Sequence, residues 1–495
     1  MKGAFVKISR PYSFIILPLL IISASGCKLG PNYKRPTSVT DDAQRYVYDL
    51  TDRDDPNLIA DLGHWWERFA DPVTSDLVQQ ALEQNTDLKA AAARVLESQA
   101  LLNQARSPLW PQIDYSFSRD RSRYSFNSPF TGRTANLSTT FAQDISISYI
   151  VDFWGQFRRA EEASWRELLA SQADQRALIQ TIIAQVVRYR INIAMLQRQL
   201  QIVSDNTDNY REVLNLVERR YRKGLVESLD VRLSRENLAA SQANQAQINQ
   251  SLQIAQNALD VLLGNRPGRT ESLPETLADL PDLEPIPVGL PAYLLDRRPD
   301  LIRAEMRLAS ATARVGMNIA QMFPNLAISA GYGFRSDEFK DLLNKDFEIY
   351  SALIQVLQPV FKGGQLRAQV KVSKAQVEQA AAGYAGAVLR ALREVEDTLI
   401  SEQIQKQRLQ VLQLRLREAL AAEELAWERY QQGLDRLLTV LETQRRRRLA
   451  ENDLISNKAE LWNNRVSLFL ALGGDWLEEK KDEETAFAAQ VNEQE

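Results

Sequence analysis

Between Gly155 and Arg222 the chain reads GQFRRAEEASWRELLASQADQRALIQTIIAQVVRYRINIAMLQRQLQIVSDNTDNYREVLNLVERRYR. These 68 residues contain no proline and no glycine beyond the first. Two series of apolar or aromatic residues, each with a spacing of seven, alternate along the segment, and Thr207 is their one polar member. The first series is Ile182, Tyr189, Leu196, Val203, Tyr210 and Val217, and the second is Ile179, Val186, Ile193, Leu200, Thr207, Leu214 and Tyr221. This pattern predicts a supercoiled helix about 100 Å long at 1.5 Å per residue. Because this helix is rich in charged residues, we expect it to lie outside the membrane, exposed to solvent and packed against similar helices.

The rest of the sequence repeats this organisation. Residues 87–111 align with residues 300–324 at an offset of 213, and Tyr221 aligns with Tyr430 at an offset of 209. The order of the landmarks is the same in both halves, and the four-residue difference in offset falls within the strand region of the repeat. We conclude that the chain is an internal duplication, with a helix, two β-like stretches and two long helices in each half.

Each half carries two stretches in which apolar and polar residues alternate. They are Ile113–Ser118 and Ile145–Tyr149 in the first half, and Leu326–Phe334 and Ile349–Val360 in the second. Alternation rich in Tyr, Phe, Ser and Gly is typical of strands in outer-membrane barrels. Two soluble hairpins remain the alternative at this stage.

The number of strands bears on assembly. No segment after the first 26 residues is apolar enough for a membrane helix, so any membrane crossing falls to the strands. Four strands leave two open edges that lipid does not tolerate. Eight strands make a barrel filled by its own side chains, whereas twelve leave a lumen. A trimer is therefore expected if the protein is a conduit.

The N-terminus predicts export and lipidation. Residues 1–26 have a positively charged start, a short apolar core at 13–22 and small residues at the end, as in a signal peptide. The following Cys27 completes a sequence that resembles the bacterial lipoprotein signal, although Ala24 stands where Leu is usual. Lys28, rather than Asp, implies sorting to the outer membrane by that resemblance. An ordinary cleaved signal with an incidental cysteine is the alternative.

The composition argues against an enzyme. The chain has a formal net charge of −4, one Cys and one His, which gives no support to nucleic-acid binding, to Cys/His metal sites or to a disulfide within one chain. His64 is expected to be structural because catalysis needs an oriented set of partners. Phosphate-binding loops and nucleophile elbows are missing as well. The basic run at 445–448 is expected to form salt bridges with glutamates of neighbouring helices.

These observations divide the chain into segments. Six prolines between positions 267 and 291 indicate an irregular connector between the halves. The predicted segments are a signal peptide (1–26), a lipidated extended segment (27–74), a first repeat (75–264, strands about 111–151, helices about 155–222 and 227–264), the connector or equatorial region (265–295), a second repeat (296–474, strands about 325–360, helices about 364–430 and 436–472) and a flexible tail (475–495).

Three sets of residues carry a resemblance to a known family: the CKLGPNYKRP opening at 27–36, the Tyr-x-x-Gly breaks at Tyr221 and Tyr430, and the paired FWGQ and FKGGQ stretches that follow the strands. Together they resemble the TolC-like and OprM-like outer-membrane factors of tripartite efflux systems, and among these the NodT-type lipoproteins that serve resistance-nodulation-division pumps. The resemblance covers essentially the whole mature chain.

The resemblance implies a mainly α fold with a membrane β-barrel. The expected assembly is a lipid-anchored homotrimer in the Gram-negative outer membrane. Its duplicated β-β-α repeats would form a twelve-stranded barrel, a long periplasmic helical barrel and a mixed equatorial collar. It would act as a passive exit duct, with a periplasmic adaptor and an inner-membrane pump as partners. It would need no metal and no cofactor apart from the lipid on Cys27. A periplasmic coiled-coil lipoprotein without a pore is the competing interpretation.

The same resemblance assigns functional residues. The helix-to-helix turns would form the periplasmic tip and contact the adaptor through two groups of residues: Arg222, Lys223, Gly224 and Leu225, and Gln431, Gln432, Gly433 and Leu434. The periplasmic gate would lie at Leu438, as an apolar constriction, and at Glu442, as an anionic ring that favours cations. We hypothesise that Glu442→Ala leaves assembly intact and makes the closed channel leakier.

Overall fold

The computed structural model describes residues 27–37, 46–48, 64–128, 132–269, 273 and 294–474. The predicted signal peptide (1–26) and tail (475–495), most of the connector and parts of the extended segment lie outside these residues. The described chain is mainly helical and contains one four-stranded antiparallel sheet. None of the helices in these ranges is both long and apolar enough to cross a bilayer.

The elements occur in the same order in both halves. The helices are α1 (Pro72–Gln84), α2 (Thr86–Arg106), α3 (Gln156–Arg222), α4 (Ser228–Leu262), α5 (Leu294–Arg297), α6 (Pro299–Ala320), α7 (Gln365–Gln431) and α8 (Leu437–Ala471). The strands are β1 (Gln112–Ser128), β2 (Gly132–Val151), β3 (Asn325–Ser336) and β4 (Glu348–Leu357). Helices α3 and α7 both have 67 residues, and α4 and α8 both have 35. Both pairs keep the offset of 209, as expected for a duplication.

The heptad pattern of α3 coincides with its buried side. Val186, Ile193 and Val217 are fully buried, and Tyr221, at the end of the series, is exposed. The single polar member, Thr207, is also buried, and its hydroxyl lies 2.8 Å from the Ser241 hydroxyl of α4. This hydrogen bond satisfies a polar group that would otherwise be costly inside a helical seam.

The compact units do not coincide with the two sequence repeats. Among the described residues, one unit draws on the ranges 27–36, 95–171 and 304–384, and the other on 37–94, 172–303 and 385–474. The reason lies in the strand order β1-β2-β3-β4, because β2 of the first repeat pairs with β3 of the second. A repeat that must share a sheet with its copy cannot be an independent domain.

One predicted helix is divided in two. A single helix was expected before the first β-like stretch, but α1 ends at Gln84 and α2 begins at Thr86, with Asn85 between them. The Asn85 side-chain oxygen accepts hydrogen bonds from the backbone N–H groups of Asp87 (2.8 Å) and Leu88 (3.1 Å), and its amide donates to the Leu262 carbonyl at 2.8 Å. Asn85 therefore caps α2 and ties this break to the end of α4.

The last strand is shorter than predicted. The alternating pattern extended the strand to Val360, whereas β4 ends at Leu357. Pro359 has no backbone N–H to contribute to a strand ladder, so pairing stops before it. The Gln358 amide donates instead to the Met322 carbonyl at 3.1 Å.

Candidate functional site

The turn between α3 and α4 is a Schellman motif. Gly224 has φ 72°, which suits a left-handed position. Its N–H donates to the Tyr221 carbonyl at 2.9 Å, and the Leu225 N–H donates to the Arg220 carbonyl at 3.0 Å. The last carbonyls of α3 are thereby paired, and the chain reverses within a few residues.

The turn between α7 and α8 repeats this geometry. Gly433 has φ 77°, its N–H donates to the Tyr430 carbonyl at 3.1 Å, and the Leu434 N–H donates to the Arg429 carbonyl at 2.9 Å. The duplication thus extends to individual hydrogen bonds. Each motif leaves the leucine after its glycine in solvent, with Leu225 68% and Leu434 62% exposed.

Both turns project from one hydrophobic cluster. Its buried members come from all four long helices: Tyr210, Val213, Val217, Val231, Ala426, Tyr430, Leu437, Val440 and Leu441. The Arg220 guanidinium lies 4.8 Å from the centre of the Tyr430 ring, a cation–π contact that joins the two hairpins. The cluster places the two turns at the same end. All eight residues predicted for adaptor contact are exposed there.

The predicted gate residues lie on one exposed side of α8. Leu438 is 61% exposed, whereas its neighbour Leu437 is buried in the cluster. Glu442 follows Leu438 by four residues and Arg445 follows by seven, so the three share a helix face. This face presents an apolar residue nearest the turn and charged residues one to two helical turns further on.

Glu442 is bound by two arginines of its own helix. Its carboxylate accepts hydrogen bonds from Arg445 at 2.9 Å through both oxygens and from Arg446 Nε at 2.9 Å. These hydrogen bonds lower the pKa of Glu442 to about 2. Two guanidinium groups against one carboxylate leave a local charge of +1. In each chain, the carboxylate that is predicted to contribute to an anionic ring is therefore paired with two cationic groups.

The prediction for the basic run 445–448 was only partly right. Arg445 and Arg446 pair within α8, because spacings of three and four residues bring them to Glu442 on one helix face. Arg447 does reach neighbouring helices, with Glu423 of α7 at 2.5 Å and Asn206 of α3 at 2.6 Å. The half-buried Arg447 thus connects three helices beneath the candidate gate.

The sheet has two chemically different faces. The pairing places one set of mainly apolar side chains on the same side, the apolar face: Ile113, Tyr115, Phe117, Ile145, Ile147, Tyr149, Val151, Leu326, Ile328, Ala330, Tyr332, Phe334, Tyr350, Ala352, Ile354 and Val356. Gln143 on β2 and Glu348 on β4 are polar exceptions on this side, in the row of Phe117 and Phe334. The opposite side, the polar face, carries mainly Ser, Asp, Gly and Gln: Asp114, Ser116, Ser118, Asp144, Ser146, Ser148, Ser329, Gly331, Gly333, Ser351 and Gln355. Many apolar-face side chains are strongly exposed, such as Tyr115 (65%) and Ile354 (71%).

The candidate lipidation residue lies where the sheet meets α3. Cys27 is exposed, and the Leu29 N–H donates to the Trp154 carbonyl at 3.2 Å. A Cβ atom on Gly155 would come within 2.9 Å of the Lys28 Cα, so the two backbones are in close contact. The end of the segment that carries Cys27 is therefore held at the junction of strand and helix.

A buried arginine holds the rest of this N-terminal segment. Arg159 of α3 is 1% exposed and donates to the Leu29 carbonyl at 3.0 Å, to the Asn32 side-chain oxygen at 2.7 Å and to Glu162 at 2.8 Å. Nothing in the local sequence predicted this long-range contact. We call residues 27–36 with Arg159 the N-terminal clamp.

The single histidine of the sequence lies beside an aromatic ring and a carboxylate. The His64 ring lies 5.1 Å from the Trp66 ring, and its Nδ1 is 3.5 Å from the Glu67 carboxylate. Within the described ranges, no group of three or more His, Cys, Asp or Glu side chains could hold a metal ion.

Duplicated long helices, a sheet with one apolar face and two matching helix turns are the features expected of an outer-membrane channel protein. Residues 77–265 and 290–474 match the outer membrane efflux protein family, and the chain belongs to that family. It is an outer-membrane efflux channel protein of a Gram-negative bacterium, it serves as the exit duct of an efflux pump, and it is not an enzyme.

Individual relatives are similar over most of the chain. The pyoverdine export outer membrane protein OpmQ of Pseudomonas putida is 32% identical, over 83% of this chain and 88% of its own length. The toluene efflux pump outer membrane protein TtgF of Pseudomonas putida is 30% identical, over 92% and 96%. Among solved structures, the outer-membrane channel OprN has a TM-score of 0.82 at 28% identity, covering 91% of this chain and all of that one.

Proposed function

We propose that three copies of this chain close a twelve-stranded barrel that forms the pore of the efflux duct. The arrangement of the sheet carries the proposal: an exposed apolar face, a polar face and unpaired outer edges on β1 and β4. Lipid would cover the apolar face, and the polar face would line water. Three sheets joined edge to edge leave no strand unpaired, which the hydrocarbon core requires.

Conductance tests this proposal. Purified protein added to a planar lipid bilayer should produce stepwise openings, because a polar-lined barrel passes ions. A membrane-extracted protein that binds bilayers without any current would contradict a pore.

We further propose that the two helix turns contact a periplasmic adaptor, which connects the duct to an inner-membrane pump of the resistance-nodulation-division type. Support comes from the two exposed leucines, Leu225 and Leu434, which stand at equivalent positions on duplicated turns. Two equivalent apolar side chains at the solvent-exposed end of the long helices are suited to binding a partner protein in the same way at both turns.

The leucines provide a test of the adaptor site. Leu225→Asp with Leu434→Asp should abolish efflux and weaken adaptor binding by about tenfold or more, since a charge would be desolvated in an apolar contact. Binding is measured by pull-down of the cognate adaptor, and conductance in bilayers should stay normal. Leu420→Asp serves as the control, because Leu420 is an exposed leucine of α7 eleven residues before the end of that helix. Normal efflux in the double variant would argue against this contact.

The lipid anchor is proposed to be attached to Cys27. The position of Cys27 supports the proposal, because the N-terminal clamp holds its neighbours against Trp154 and Gly155, where the strands end. In the proposed barrel, this level would be the periplasmic boundary of the membrane, where an acyl chain could enter the bilayer directly.

Replacement of the cysteine tests lipidation. Cys27→Ser should abolish metabolic labelling with palmitate, because the chain has no other thiol. Ser25→Ala, in the same signal region, should leave labelling intact. The barrel strands do not involve Cys27, so the trimer should survive the loss of the lipid. Continued labelling of the serine variant would refute attachment at this residue.

A further inference from the structure

The apolar face has a defined height. We call residues that are paired side by side across the strands a row. The first row of the apolar face contains Leu326 on β3, and the row of Ser336 lies ten residues further along that strand (336 − 326). Ten residues span about 33 Å along a strand, or about 25 Å across a membrane at a tilt near 40°. That height is the height of the apolar band of an outer-membrane barrel. The row of Ser336 therefore marks the outer boundary of this band.

Three arginines begin at this boundary and continue beyond it on the same face. Arg119 stands opposite Phe141, which is itself paired with Ser336, and Arg121 and Arg123 follow at two-residue intervals on β1. Side chains two residues apart on a strand point to the same side. The three guanidinium groups thus form a row directly above the band. We call Arg119, Arg121 and Arg123 the arginine row.

The arginine row has no acidic partner within the described part of the chain. The register places Phe141, Thr139 and Leu137 opposite the three arginines, and none of these can neutralise a positive charge. The Arg119 guanidinium lies 5.6 Å from the Phe141 ring centre, which fixes its orientation over an aromatic side chain. All three side chains are exposed. Elsewhere in the chain, arginines commonly pair with carboxylates, as Arg303 does with Asp174.

The row also lies at the end of the sheet away from the helices. Helix α2 leads into β1 and α3 follows β2, so both connections to helices are at the other end. If the helices stand in the periplasm, the arginine row faces the outer leaflet. The lipid of that leaflet in Gram-negative bacteria is a glycolipid that carries phosphate groups.

We propose that the arginine row binds the phosphate groups of outer-leaflet glycolipid. Guanidinium groups bind phosphate through paired, charge-assisted hydrogen bonds. Continuity with the apolar band selects a membrane lipid over a soluble anion, because the acyl chains of the same molecule would cover the band below. The inference rests on the proposed barrel and adds the class of lipid that surrounds it.

Lipid binding by the intact protein tests the inference. Full-length wild-type protein in detergent is titrated with diphosphoryl lipid A, and with the same lipid after removal of both phosphates, and bound lipid is counted by native mass spectrometry. Wild type should prefer the phosphorylated form. The combined variant Arg119→Gln, Arg121→Gln, Arg123→Gln should bind it about tenfold more weakly, since each exposed pair contributes modestly. Binding of the phosphate-free lipid should change little.

A control on the polar face makes the test specific. Arg335 of β3 stands at nearly the same height but pairs with Ala142, on the polar face. Arg335→Gln should therefore bind lipid A as wild type does. Equal affinity of wild type for the two lipid forms, or wild-type affinity in the triple variant, would overturn the inference while leaving a conducting channel intact. A wild-type protein that conducts no current would overturn the proposed function, and this inference with it.

Discussion

Glu442→Ala is expected to raise the resting conductance of the channel several-fold and to shift its ion preference towards anions. The carboxylate of Glu442 holds two guanidinium groups on the exposed face of α8 that also presents Leu438. Its removal changes the local charge from +1 to +2 in each chain. If the proposed trimer turns this face of α8 towards its axis, three such groups would lie close together, and their repulsion should spread the helices and weaken the closed state.

Single-channel recordings in planar bilayers measure this effect. Glu424→Ala, which removes an exposed carboxylate from α7, should leave both conductance and ion preference unchanged. Acidification to pH 4 should not reproduce the effect of the alanine variant. The pKa of Glu442 is lowered to about 2, so its charge is lost only as the pH falls through that value. Unchanged conductance together with unchanged ion preference in Glu442→Ala would refute this role.

Arg159→Met should destabilise the protein by about 3 kcal/mol, because it leaves buried partners without a donor. Arg159 is almost fully buried, and it donates to a backbone carbonyl, an amide oxygen and a carboxylate. Methionine has a similar length and fills the space, so the loss is mainly electrostatic. Without these bonds, the N-terminal clamp should open and residues 27–36 should become sensitive to protease.

The control for this prediction is an arginine in the same compact unit. Arg314 pairs with Glu167 at 3.1 Å, but both side chains are at least 40% exposed. Arg314→Met should therefore cost less than about 1 kcal/mol. Heat denaturation in detergent and limited proteolysis with mass spectrometry of the N-terminus are the measurements. Equal midpoints for the two variants, with an intact N-terminus in both, would contradict the clamp.

Much of the fold followed from periodic patterns. The heptad pattern predicted the start of α3 to within one residue. A long helix that buries one side along its whole length needs apolar residues at regular intervals, and these intervals are visible in the sequence. The alternation of apolar and polar residues predicted the strands in the same way, because successive side chains of a strand point to opposite faces of the sheet, one apolar and one polar. The break at Asn85 was missed, although the duplication contained a signal. Residue 298 corresponds to Asn85 at the offset of 213, and Pro299 starts α6 directly after it.

The contacts of the candidate site were less predictable. The pairing of Glu442 with Arg445 and Arg446 could have been found from their spacing on one helix face. The N-terminal clamp could not, since it joins Arg159 to residues about 130 positions away (159 − 29). Such contacts depend on how the strands and helices pack, and no local pattern specifies that. The arginine row needed the observed register, because only the pairing shows which face the three side chains share and what stands opposite them.

The protein mass of the membrane-extracted complex tests the trimeric duct most directly. Light scattering in mild detergent, corrected for bound detergent, is applied to protein from the outer-membrane fraction. The chain has a mass of 56.2 kDa, and a complex of about three times that mass is expected, because twelve strands are the fewest this repeat can close around a lumen. A monomer or dimer would contradict the account, since four strands cannot close and eight leave no channel.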